Sequence, residues 1–414
     1  MRHLIIRGTP MLLIVALLAL SASAQAPDNA SDPNTVSLTM HEAVKLALQQ
    51  NPRLLGARIE ALESKQTTKV ARSAFLPKAT LGLKEQPQGL NLATLIGQES
   101  APYSVGPYSN LQLGANFDVP IVAVSAWRTY QAGKLREKSS QDEAAAVQES
   151  IASIVVAQYL SLLRSKATEE AVQSRIDLAA VLLRLANDQL KQGTGTSTDA
   201  LRANVELLVE KENLVRAQAQ TKAYSYGLAQ VLGLKESQHA ISTESLTATD
   251  EQVPEEQQLL TEAFNTRPDL LSVDALSQAA QYEQKAAASQ RLPELHFDGY
   301  WAQSGRNPAG LLPAYIYQGE IKLPIFTGGR ITAESQRARL AADRAQETVT
   351  ERRDLITQEV RDALSSLDAA RKELQLSTEA YRLSTRELKE TRDRFAAGVT
   401  NNSGYHRITG RIFR

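Results

Sequence analysis

Two long stretches without internal proline, each ending at a glycine and each preceded by the same punctuation, constrain this chain more than any other feature. Asn51-Pro52 opens a helical run that closes at Leu76-Pro77, and Arg267-Pro268 opens one that closes at Leu292-Pro293, so the interval from proline to proline is the same in both. Each run leads into alternating sequence, then a hydrophobic-Pro-Ile step (Val119-Pro120-Ile121, Leu323-Pro324-Ile325), then a long helical pattern. Those patterns end at Gly193 and Gly398, and the distances from Pro120 and Pro324 match to within a single position. A chain that writes one order of elements twice is expected to be a duplicated unit.

The long runs are rich in Ala, Gln, Glu, Leu and Arg, while aromatic residues make up only 5% of the chain. Apolar residues recur at helical spacing through Ile151, Ile154, Val155 and Leu162, and later through Ile176, Leu183 and Leu190. The second run carries a heptad-like series at Leu340, Leu355, Leu364, Leu367, Leu374 and Leu388. A helix of about 60 residues reaches roughly 90 Å, which no compact globule uses. Such stripes alone describe a coiled-coil core and say nothing about transport.

The segments between the helices alternate with period two. Leu111, Leu113, Ala115, Phe117 and Val119 interleave with Gln112, Gly114, Asn116 and Asp118, and Tyr315, Tyr317, Gly319, Ile321 and Leu323 interleave with Ile316, Gln318, Glu320 and Lys322. Each is near the length of a tilted strand that crosses a bilayer. The apolar sets (Leu111, Leu113, Phe117, Val119, Tyr315, Tyr317, Ile321, Leu323) are expected to face lipid. The polar sets (Gln112, Asn116, Asp118, Gln318, Glu320, Lys322) are expected to face a lumen. Tyr103, Tyr108, Tyr300, Trp301, Tyr315 and Tyr317 crowd this region as an interfacial girdle would. Four strands cannot close a membrane barrel, whose minimum is about eight, so strands that span a membrane here require several copies of the chain. A half-buried soluble sheet is the competing reading, within a periplasmic coiled-coil scaffold.

The N-terminus carries Arg2 and Arg7, an apolar run from Met11 to Leu20, and Ala22-Ser23-Ala24, the pattern of a cleaved signal peptide over 1–24. The chain has no cysteine, so no disulfide or thiolate metal site is expected. With 46 basic and 46 acidic residues it lacks the basic footprint of a nucleic-acid binder. Five scattered histidines, no His-Glu-x-x-His pair and no Gly-x-Ser-x-Gly elbow give no support to catalysis, and no cofactor is expected.

Several of these segments together resemble the TolC family of bacterial outer-membrane efflux ducts. They are LTMHEAVKLALQQNPRLLGARIEA, SAFLPKATLGL, RPDLLSVDALSQAA, SQRLPELHFDGYW, IKLPIFTGGR and RFAAGV, in that order. The resemblance implies an α+β membrane protein built from a duplicated helix, strand, strand, long-helix unit. Four strands per protomer would contribute to a trimeric twelve-stranded barrel continuous with a long periplasmic helical barrel. It implies a passive exit duct of a tripartite efflux or type I secretion system, working with a periplasmic adaptor and an inner-membrane pump of proton-driven (RND) or ABC type. Its site is the periplasmic tip: Gly193 matches the small residue on which adaptor hairpins pack, Thr198 and Asp199 stand near the family's constriction, and Gly398 takes the same place in the second copy. Local sequence independently makes Thr198-Asp199 a helix N-cap candidate.

The expected units are therefore 36–235 and 259–402. The first has strands about 78–85 and 111–119, a long helix about 125–191 and a return helix about 199–232. The second has strands about 294–302 and 314–323 and a long helix about 331–397. Residues 236–258 form a linker or equatorial region. The last residues, 403–414, carry no helical stripe and read as a divergent tail in place of a second return helix, consistent with a truncated or frameshifted product or a genuine short variant.

Overall fold

The computed structural model describes residues 34–90, 105–245 and 252–396. The expected signal peptide, Gly398 and the 403–414 tail lie outside the described residues. Seven helices are described: α1 (Met40–Gln50), α2 (Pro52–Ser73), α3 (Val124–Lys191), α4 (Ser197–Leu232), α5 (Glu256–Thr266), α6 (Pro268–Ser289) and α7 (Arg330–Ala396). Six strands accompany them: β1 (Thr35–Leu38), β2 (Lys78–Leu90), β3 (Val105–Val122), β4 (His239–Ser242), β5 (Glu294–Gly305) and β6 (Leu312–Lys322).

Helix starts follow local chemistry. Thr39 and Glu42 form a capping box at α1, the Thr39 hydroxyl accepting from the Glu42 N–H while the Glu42 carboxylate accepts from the Thr39 N–H. Asn51 caps α2, its side-chain oxygen accepting from Arg53 and Leu54, with Pro52 at the first helical position where no N–H is needed. The repeat is not identical here: Arg267 replaces Asn51 at the start of α6 and makes no side-chain cap. It pairs instead with Asp269 at 2.8 Å and with Glu359 of α7 at 2.5 Å. Burial alone would raise the Asp269 pKa, but hydrogen bonding and attraction from Arg267, helped by the Leu270 N–H and Arg352, outweigh it and leave it below the ordinary carboxylate value.

α3, 68 residues and about 100 Å long, is the hub. It packs on α2 and α6 near the four-stranded sheet, on α1 at mid-height, and on α4 along its far half. At mid-height Ala43 and Ala47 of α1, Ile151, Val155, Tyr159, Leu162 and Leu163 of α3, and Leu228 and Leu232 of α4 close one apolar cluster. Burying each large side chain there contributes roughly 1.5–3 kcal/mol. Three polar groups at its rim are matched: the Tyr159 hydroxyl donates to the Leu38 carbonyl at 2.9 Å, Ser225 to the Ala240 carbonyl at 2.6 Å, and the Asn51 amide to the Val231 carbonyl at 2.7 Å.

Two features depart from the sequence reading. Within the expected 236–258 linker, β4 pairs in parallel with β1, His239 opposite Thr35, so the chain's start and its middle are stitched together at the equator. The strands also run further than the expected 78–85 and 111–119: β2 extends to Leu90 and β3 begins at Val105. Polar residues and Pro87 hid this continuation, yet Pro87 pairs with Ser109 and Gln86 with Asn110 in the same ladder.

The second sheet is an antiparallel ribbon in the order β2-β3-β5-β6. The two hairpins of the duplicated unit therefore lie side by side, joined by β3 and β5. Gly299, which breaks the alternation of β5, has a physical reason: a Cβ there would collide with the Ile316 carbonyl and stand 2.8 Å from the Phe117 ring. The ring lies over that gap, with centroids 5.7 Å from Phe297 and 5.6 Å from Tyr317.

Candidate functional surfaces: the sheet faces and the helix turn

Directly opposed residues in a sheet share a face, so the register decides which side chains stand together. Phe117 is opposite Gly299 and Gly299 opposite Tyr317; Ala115 is opposite Trp301 and Trp301 opposite Tyr315; Val119 is opposite Phe297, and Leu295 opposite Ile321. Leu81 and Leu83 of β2 join this face opposite Ala115 and Leu113, and Leu111 lies further along it. One face of the ribbon is thus apolar and aromatic across all four strands. Leu81, Leu83, Leu113, Trp301, Tyr315, Tyr317 and Ile321 are exposed on it, as is Leu323 just past the end of β6.

The other face is polar at the end nearest the helices. Lys78, Asp118, Asp298 and Gln318 form one cross-strand row, and Gln112 and Asn116 lie further out on the same side. His296 Nδ1 is 3.3 Å from Asp118 Oδ2 and its Nε2 is 3.6 Å from Glu294 Oε2; Gln318 donates to Asp298 at 3.0 Å, and Lys322 Nζ is 3.1 Å from Glu320. Tyr300, expected in the aromatic girdle, falls on this polar face because it is opposite Asn116. Among the described residues no group of three or more His, Asp or Glu side chains is placed to hold a metal ion.

The far end of the molecule is the α3–α4 turn. Gly193 has φ +75°, the left-handed conformation that ends helices, and its N–H donates to the Leu190 carbonyl at 3.1 Å. Thr194 and Gly195 both donate to the Gln189 carbonyl at 3.0 Å. A Cβ on Gly195 would stand 3.0 Å from that of Gln189, a constraint the sequence reading did not assign. The N-cap of α4 is Thr196 rather than Thr198 or Asp199. The Thr196 hydroxyl accepts from the Asp199 N–H and donates to the Asp199 carboxylate at 2.6 Å. Thr198 and Asp199 are already in the first helical turn, since the reciprocal contact needs an acceptor three positions after the cap. Ala186, Ala200 and Ala203 bring α3 and α4 together just behind the turn.

An exposed apolar sheet face, a charged opposite face and helices far longer than a globule can use point to one kind of protein. The model of the outer membrane efflux protein family matches residues 43–234 and 259–414, one stretch for each repeat. The chain belongs to that family. The second match runs through 403–414, the stretch the sequence reading set apart. The pyoverdine export outer membrane protein OpmQ of Pseudomonas aeruginosa is 23% identical over 84% of this chain and 74% of its own length. The outer membrane protein TolC of Vibrio cholerae is 21% identical over 72% of this chain and 68% of its own. The crystal structure of the Campylobacter jejuni CmeC outer membrane channel superposes with a TM-score of 0.78 at 17% identity, covering 96% of this chain and 89% of that one. The protein is accordingly an outer-membrane efflux channel of a Gram-negative envelope, with its long helices extending into the periplasm.

Proposed function

We propose that the chain works as a homotrimer in which three four-stranded ribbons close into a twelve-stranded barrel, apolar face to lipid and polar face to a water-filled lumen. The observation that carries this reading is a sheet with one apolar exposed face and two open edges, β2 and β6. Lipid cannot satisfy the backbone groups of an open edge, so the edges must pair between copies. Two copies would give eight strands, whose interior side chains fill, whereas twelve leave room for solvent over the charged face.

The helices then form the periplasmic conduit, and the Gly193 turn is the surface on which a periplasmic adaptor docks, linking the duct to an RND or ABC pump in the inner membrane. Asp199, repeated around the axis beside Thr198, places a ring of carboxylates at that mouth and favours cations there. Gly398 is proposed to take the equivalent place in the second repeat.

Fractionation combined with bilayer recording tests the reading. A heat-modifiable oligomer in detergent-extracted outer membrane that conducts ions in a planar bilayer supports it. Release by osmotic shock as a soluble, non-conducting protein overturns it in favour of a periplasmic scaffold.

A further inference from the structure

The charge on the polar face of the ribbon is gathered into a band at the end nearest the helices. Lys78 of β2, Asp118 of β3, Glu294, His296 and Asp298 of β5, and Glu320 and Lys322 of β6 are placed there on one face by the register. The next row outward is Thr80, Asn116, Tyr300 and Ile316, and the one beyond it Gly82, Gly114, Ala302 and Ala314, so neither carries a charge. Within the band four carboxylates meet two ammonium groups, and Asp118 stands directly opposite Asp298, an arrangement in which like charges repel. Gln318 donates to Asp298, Lys322 pairs with Glu320, and Asp118 and Glu294 share His296.

Histidine is the side chain whose charge ordinarily changes between about pH 5 and 8, a window in which carboxylates and ammonium groups ordinarily keep theirs. The His296 ring is 18% exposed and lies between two carboxylates, Nδ1 3.3 Å from Asp118 Oδ2 and Nε2 3.6 Å from Glu294 Oε2. Pro120, opposite it on β3, has no N–H to offer the ladder, and the register shifts before Val122, so the ring bridges the two repeats where their pairing is irregular. The other charges around it are Glu320 and Lys322 on β6 and Asp298 on its own strand, with Lys78 beyond Asp118. The Pro308–Gly310 turn packed at the far end of β5 carries none.

We propose that His296 determines, through its protonation, how strongly the channel prefers cations over anions. The inference rests on the barrel proposed above, in which this face lines the lumen and the band becomes a ring where the strands meet the helices. With His296 neutral the ring carries an excess of carboxylates, and a proton on every His296 halves that excess. A pore lined by one sign of charge concentrates the opposite ion, and carboxylate rings favour cations. The added proton needs no rearrangement, because the imidazolium it creates already lies between Asp118 and Glu294. Anionic solutes are therefore excluded most at neutral and higher pH and admitted more readily under acid conditions.

Planar-bilayer recordings of the full chain across a KCl gradient give the K⁺/Cl⁻ permeability ratio from the reversal potential. They are made near 0.01 M salt, where screening extends to about 30 Å and the ring is felt across the lumen. The ratio of the parent is expected to fall about twofold or more from pH 8 to pH 5 as the charge of the ring halves. His296→Gln keeps a donor beside Asp118 but takes up no proton in this range, and is expected to hold the high ratio at both pH values. His296→Arg, charged throughout, is expected to give the low ratio at both. His296→Asn takes the place of a glutamine variant that does not assemble. A parent that conducts with the same ratio at both pH values overturns the inference without any variant and leaves the duct intact. A parent and a His296→Gln channel that shift alike also overturn it, since the titrating group then lies elsewhere, as among the other four histidines. A lower melting temperature of the His296→Gln oligomer with the parental pH response kept makes His296 a structural bridge and overturns it as well. A parent that forms no conducting pore overturns both this inference and the proposed function.

Discussion

Phe117 and Asn116 are neighbours in sequence on opposite faces of one strand, so they separate the barrel reading from that of a soluble sheet. Phe117→Arg puts a guanidinium on the apolar face proposed to meet lipid and is expected to destabilise the assembly by about 2–4 kcal/mol at a mid-membrane position, while Asn116→Arg is expected to cost little. Gel-resolved melting of the oligomer reads the difference, and equal damage at both sites would refute the assignment of faces. Gly193 calls for a different comparison, because its φ of +75° strains any L residue although a Cβ there would meet open space. Gly193→Val is expected to cost about 1–2 kcal/mol in the turn itself. Gly193→Asn tolerates the conformation and so isolates docking. If Gly193→Asn at equal expression transports as the parent does, the small side chain at this turn is not what the adaptor reads.

At the scale of elements, the Asp269 pKa sets an acid limit on the packing of α6 against α7. Its folded value is depressed, so its pairing with Arg267 contributes stability above the unfolded value of 3.8 and loses it as pH falls through the lower folded value. Melting temperature measured from about pH 5 downward should fall less steeply in Asp269→Asn than in the parent. An unchanged slope would mean that the pair adds nothing. Thr196→Ala removes the cap of α4 and is expected to cost about 1 kcal/mol, seen as faster amide exchange in its first turn. The long helices and central strand segments were legible because periodicity sustained over many positions, and proline and glycine at the ends, are local signals. Thr35–Leu38 and His239–Ser242 were not, since so short a strand has no period to read and exists only through pairing with a segment from the other end of the first repeat. The cap at Thr196 was missed because Thr196, Thr198 and Asp199 are all competent caps, and only the backbone decides which one flanks the helix.

For the whole molecule, the duplication explains both what one copy completes and what it leaves open. Within one chain the first repeat covers the second: α3 lies on α6 and β3 pairs with β5. The outer surfaces of the pair, α2 with β2 at one end and α7 with β6 at the other, leave large apolar residues exposed, among them Ile59, Val70, Leu81, Leu340 and Tyr315. The ring of copies proposed above would cover them together. The polarity of the two sheet faces was readable from alternation, but the number of copies was not, because sequence records which edges are open and not how many chains close them. Native mass spectrometry of the unheated particle extracted from outer membranes counts those chains directly. Three chains per particle is the predicted result; a particle of one chain, or of two, would contradict the twelve-stranded barrel.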